Sequence, residues 1–172
     1  MNTQLANLFQ SLEVQRADLL NPLNGLSPEH LNRIRNNKWS ISQVVGHVIQ
    51  AEKMSVGYMS KKINAIHEVG NTGLWNELVL GVFIISQRLP LKYKAPKNLG
   101  EKPPSYSSFQ TLEADWNTSR ESLKQFLETI PDNGIHKKIY RHPVMGRCSV
   151  VHALKFFREH IIHHHPQILR QL

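Results

Sequence analysis

The sequence predicts an all-α protein, a four-helix bundle with a long crossover between the second and third long helices. Two observations carry this. Four long stretches place apolar residues at helical spacing, with polar residues between them. A crossover of about 40 residues separates the second stretch from the third, which argues against a simple up-down-up-down order. Four helices with apolar stripes and polar backs bury those stripes by packing them together. With 172 residues the chain has the length for a single domain spanning 1–172 with a real core.

The first helix is expected over about Thr3 to Leu20, where Leu5, Leu8, Phe9, Leu12, Leu19 and Leu20 recur. Pro22, Gly25 and Pro28 then punctuate the chain. Ser27-Pro28-Glu29 reads as the cap and first turn of a short helix ending near Asn36.

The second long helix opens on a capping box of Ser40 and Gln43, with Trp39 and Val44 spaced as a hydrophobic staple. Val44, His47, Val48, Ala51, Met54, Ser55 and Tyr58 trace one face to about residue 66. His47 therefore sits on the core side. A short apolar helix comes next, from about Trp75 to Gln87, closed by Pro90. Residues 90–106, rich in proline and lysine, read as a loop long enough to cover a site.

The third long helix is expected from about Ser108 to Ile130, with Ser107 and Gln110 as its capping box. Its stripe is Phe109, Leu112, Trp116, Leu123, Phe126, Leu127 and Ile130. Pro131-Asp132-Asn133-Gly134 is a turn. Residues 135–148 are short and mixed, compatible with extended structure. The fourth long helix starts near Ser149. Val150, Ala153, Leu154, Phe157, Ile161 and Ile168 fall within an arc of roughly 100° on an ideal wheel, with His164 inside it and His160 on its edge. Pro166 lacks an N–H and is expected to kink or break this helix near residue 165.

Composition narrows the function classes. Forty per cent hydrophobic and 20% charged residues are ordinary for a globular protein, not a disordered or fibrous one. A lone cysteine, Cys148, excludes an internal disulfide framework and fits a reducing compartment such as the cytoplasm. Met1 to Gln10 has no secretory-signal pattern, and the longest apolar run, Leu78 to Ile85, is far short of the roughly 20 residues of a membrane span. The formal charge of +8 permits an acidic partner. The basic residues are scattered, however, apart from Lys61-Lys62, Lys137-Lys138 and the 92–102 stretch, so a solvated surface is the simpler reading. With no recognised nucleic-acid motif, and with the aromatics on core stripes, a nucleic-acid function is not favoured.

Ten histidines are many for this length. A histidine on an apolar stripe needs a partner. His160 and His164, at i and i+4, stack two imidazoles on one helix face, near enough to share an ion. His47 is the histidine on the core stripe of another long helix, and with that pair it makes a three-histidine divalent-metal site with positions left open. Taken alone, His47 reads more readily as a hydrogen-bonded core histidine than as a ligand. His163 is an alternative ligand to His164, which lies nearer the centre of the stripe.

Trp39-Ser40-x-x-Gln43-Val44-Val45-x-His47, with Glu52 after it, resembles the second-helix motif of the DinB-like damage-inducible superfamily. His142-Pro143-x-x-Gly146, Phe156 and His160-x-x-x-His164-x-x-Gln167-Ile168 resemble that superfamily's C-terminal motif. The resemblance runs over most of the chain. It implies a four-helix bundle with a long crossover, zinc or nickel held at His47, His160 and His164, and a homodimer. It also implies a small-molecule substrate. Some members transfer low-molecular-weight thiols, others are regarded as metal-dependent hydrolases, and many have no known activity.

A metal held by three histidines activates a bound water for hydrolysis or a bound thiolate for transfer. A non-catalytic metal- or ligand-binding bundle is the third reading. His142 is the candidate catalytic residue, as a proton shuttle at the open end of the site, with capping of its loop as the alternative. Glu52 points away from the His47 face by roughly 140° and reads as surface, with support of a ligand from a neighbouring helix as the alternative. Tyr93 and Lys94 lie in the long loop. Cys148 reads as a packed thiol.

Overall fold

The computed structural model describes residues 1–36, 38–88 and 103–172. Its helices are α1 (Thr3–Leu20), α2 (Pro28–Leu31), α3 (Ile41–Lys62), α4 (Leu74–Arg88), α5 (Phe109–Glu128) and α6 (Val150–Leu169). A two-stranded antiparallel hairpin, β1 (Tyr140–His142) and β2 (Gly146–Cys148), pairs Tyr140 with Cys148 and His142 with Gly146. Among the described residues the fold is all-α apart from this hairpin. None of the described helices is long and apolar enough to cross a membrane.

Caps set the helix starts. The Asn2 side chain accepts from the Gln4 N–H at the head of α1. At α3 both halves of the expected box form: Gln43 N–H donates to Ser40 Oγ at 3.2 Å, and Ser40 N–H donates to Gln43 Oε1 at 3.0 Å. The box of α5 lies one residue later than its sequence suggests and pairs Ser108 with Thr111, not Ser107 with Gln110. That choice makes Phe109 the first helical residue and turns its ring inward. Helix α6 starts where expected, and Ser149 caps it.

Two stops differ from expectation. The short helix α2 ends at Leu31, not near Asn36, because the Asn32 side chain donates to both the Pro28 and Tyr106 carbonyls and draws the chain away. Pro166 does not break α6, which stays helical to Leu169. Proline withholds one N–H, but the Pro166 carbonyl still accepts from the Arg170 backbone and side chain, and buried Ile168 anchors the last turn.

In the bundle, α1 packs on α6 and α5, and α3 packs on α5 and α6, so α1 and α3 are diagonal. Trp116 and Phe157 are the largest fully buried side chains of this core. Helix α4 lies outside the bundle against α6. Leu80 and Phe83 point inward, while Leu74, Trp75, Leu78, Val82 and Ile85 stay exposed. Trp75 is thus one aromatic off any core stripe.

Glu52 is a correction to the sequence reading. It is not on the surface but buried between α3 and α5, where Arg120 Nη2 donates to it at 2.8 Å and Trp116 Nε1 at 3.1 Å. Burial raises its carboxyl pKa, against the opposing pull of Arg120 and Trp116. The direction away from His47 is as expected. What lies there is another helix, because α3 is covered on more than one side.

Candidate metal centre and its pocket

His47 stands two turns into α3, at a height fixed by the Ser40–Gln43 box. His160 and His164 stand one turn apart on α6, which packs on α3. His47 Nε2 lies 3.2 Å from His160 Nε2, and His164 Nε2 lies 3.1 Å from His160 Nε2. One ring nitrogen from each of the three falls within 4.8 Å of the others. The rings meet at 74° to 76°, so their edges converge on one point. Each of two rings is braced from behind: Trp39 sits 5.2 Å from His47, and Phe156 stacks on His160 at 5.2 Å.

The hydrogen bonding leaves this cluster short of protons. Gln167 Oε1 lies 3.0 Å from His164 Nδ1; an amide oxygen accepts, so Nδ1 carries the hydrogen and Nε2 keeps its lone pair. His160 Nε2 has at most one hydrogen to give to two neighbours, and its buried Nδ1 has no partner. Protonation is disfavoured at all three. Burial lowers the pKa of His47, lowers that of His160 well below the ordinary value, and lowers that of His164 to about 4. Repulsion from neighbouring histidines adds to this. Lone pairs aimed at one another in a buried place are relieved by a cation. For tetrahedral zinc the ligand nitrogens stand roughly 3.3 Å apart, close to the two shorter separations here. The three histidines fit a divalent metal.

A family model described as the DinB superfamily matches residues 11–168. The chain belongs to the DinB superfamily. No match was found among curated proteins or solved structures.

His163, the alternative ligand in this DinB-superfamily chain, turns elsewhere. Its Nδ1 lies 2.8 Å from the Gln87 carbonyl of α4 and is not among the converging nitrogens. His142 takes the capping role: its Nδ1 accepts from the backbone N–H groups of Val144 at 3.2 Å and Met145 at 3.1 Å, closing the hairpin turn. The hydrogen of the neutral ring is therefore on Nε2. Burial lowers the His142 pKa to about 4. Cys148 is buried, and burial pushes its thiol up to about 12, as suits a packed thiol. Tyr93, Lys94 and most of the loop expected to cover a site fall outside the described residues; of that loop, Pro103 is buried and the Tyr106 N–H donates to Ser42 Oγ at the start of α3.

The cluster opens on a pocket of about 390 Å³. His47, His142, His160 and His164 all line it. So do Ala51, Met54, Ser55 and Tyr58, which the sequence placed on the core stripe of α3. From Ala51 onward that stripe is a pocket wall, while Val44 and Val48 of the same stripe are core as expected. Val45, Ile49, Val56 and Met59, on another face of α3, join Val44 and Val48 in the bundle core. Sequence reasoning did not find Phe83 of α4 or Tyr140 of β1, which complete the wall. The one available signal for Phe83 was an apolar helix with more hydrophobic residues than a single buried face needs.

Proposed function

We propose that this DinB-superfamily chain is a divalent-metal-dependent enzyme that transfers a low-molecular-weight thiol to an electrophile, with zinc or nickel held by His47, His160 and His164. The observation that carries this reading is the convergence of three neutral imidazoles at the wall of an open pocket. A metal with open positions holds a thiol as its thiolate, or a water as hydroxide, at neutral pH. In the transfer, a sulfur–carbon bond forms, the bond from that carbon to its leaving group breaks, and the thiol proton passes to solvent.

The protein's part is position and shelter. Gln167 holds the His164 tautomer, Phe156 and Trp39 hold the planes of His160 and His47, and the pocket walls restrict water. His142, with its hydrogen on Nε2 and its ring in the wall, is suited to donate a hydrogen bond to a departing group. Hydrolysis through a metal-bound hydroxide is the second reading, a reaction that zinc metalloproteases assist with a carboxylate base. No carboxylate is among the described lining residues. A thiol loses its proton far more readily than water and attacks without such help, which favours transfer.

The test is elemental analysis of untagged, native-purified protein beside His47→Ala and His160→Ala. Roughly one ion per chain, lost in both variants while helical circular dichroism persists, is the expected result. Thiol-transfer and hydrolysis assays on the same samples then separate the two reactions. No metal in the wild type, even after divalent ions are added, overturns the reading. A loaded protein with neither activity leaves a non-catalytic metal-binding bundle.

A further inference from the structure

The pocket has a chemistry of its own beside the three histidines. Its body is walled by Trp39, Met54, Tyr58, Phe83, Tyr140 and Phe156. The hydroxyls of Ser55 and Tyr140 are already engaged, since Ser55 Oγ donates to the Ala51 carbonyl at 2.8 Å and Tyr140 OH bonds to Ser55 Oγ at 2.7 Å. His163 is tied to the Gln87 carbonyl, and His142 Nδ1 to its own turn. A polar guest entering this volume gives up water and finds few free partners.

An apolar guest finds the reverse. Met54 is 48% exposed and Val144 62% exposed, yet both line the cavity, so a guest would cover apolar surface now facing water. The space corresponds to on the order of a dozen waters, at about 30 Å³ each, released to bulk. Pairs of aromatic rings in the wall stand tilted to one another, Phe83 to Phe156 at 5.9 Å and Tyr58 to Tyr140 at 6.2 Å, and offer edges and faces to a flat ring. Among the described lining residues the formal charge is positive, from Arg141, with no carboxylate to oppose it. A cationic guest is therefore disfavoured even though aromatic walls attract cations elsewhere.

We infer that the molecule that fills this pocket is an aromatic compound without positive charge, which lays its ring against these walls and turns one polar end to the histidine cluster. The inference rests on the proposed transfer reaction, in which this compound is the electrophile.

The test uses the full chain as purified. Calorimetric titration compares 1-naphthalenemethanol with 1-naphthylmethylammonium, two probes of nearly one shape that differ in charge. The alcohol is expected to bind about tenfold tighter or more. Met54→Asp, at a half-exposed position the core does not need, is expected to weaken the alcohol about fivefold and strengthen the ammonium probe. Equal or tighter binding of the ammonium probe by the wild type, no binding of the alcohol up to its solubility, or an unchanged affinity in Met54→Asp overturns the inference. Metal content measured on the same samples separates the two readings. Selective naphthyl binding in a protein that takes up no metal sinks the metal-dependent reaction and leaves the pocket inference standing. A metal-loaded protein with no preference for the alcohol sinks the pocket inference alone.

Discussion

The Gln167 side-chain oxygen lies 3.0 Å from Nδ1 of His164, one turn earlier on α6. This contact decides which nitrogen of His164 faces His47 and His160. Gln167→Ala frees the ring to rotate and to change tautomer. The expected result is a metal affinity lower by about 10- to 100-fold with an unchanged fold, read by competition with a chromophoric chelator. Gln167→Glu is expected to keep most of the affinity, because a carboxylate also accepts from Nδ1.

Acid is expected to destabilise the protein in a defined window. His142 and His164 both have folded pKa values of about 4, against an ordinary 6.5. The unfolded chain therefore binds more protons than the folded one between these limits. The stability contributed by keeping both rings neutral is complete above about pH 6.5 and is lost as pH falls towards 4. Urea midpoints in a chelator-treated series from pH 7.5 to 4.5 (a range chosen about those limits) should fall steadily. His142→Asn should show a shallower fall. A flat profile in the wild type would contradict the buried, neutral state of both rings.

Buried Arg120 lies between two carboxylates, Glu52 at 2.8 Å and Glu13 at 3.6 Å, and removing it strands the buried Glu52. Arg120→Met alone is expected to cost about 3–5 kcal/mol in urea unfolding. Glu52→Leu alone should cost less, because Arg120 keeps Glu13 at 3.6 Å. The double variant should recover a large part, with a coupling of about 2 kcal/mol or more in the cycle.

Gly46, next to His47, has no room for a side chain. A Cβ placed there would lie 2.3 Å from the Pro104 carbonyl oxygen, which is backbone and cannot rotate away. The Tyr106 N–H bond to Ser42 Oγ ties that segment down nearby. Gly46→Ala is expected to lower stability by about 1–3 kcal/mol in urea unfolding despite the better helix propensity of alanine.

The sequence was most legible where one residue's chemistry suffices. Ser40 with Gln43 located the start of α3, and the i, i+4 pair of His160 and His164 located one face of the cluster, because both depend on local spacing alone. The capping box of α5 was misplaced by one residue, since Ser107 and Ser108 offer the same hydroxyl and only the inward turn of Phe109 separates them. Glu52 and the stripe from Ala51 to Tyr58 were harder for a common reason. A polar residue bonded to a distant helix looks like surface, and an apolar residue lining a cavity looks like core. Neither distinction is written in α3 itself. Each depends on what α4, α5 and the hairpin bring against it.

The Glu52–Arg120 pair has a consequence for alignment. Sliding α5 past α3 by one turn, about 5.4 Å, would exchange apolar neighbours for other apolar neighbours at modest cost. It would also leave the Glu52 carboxylate facing hydrocarbon without its guanidinium. The pair thus works as a key that admits one register. Because Glu52 and His47 share α3, the notch that seats this helix against α5 also sets the height at which its histidine meets α6.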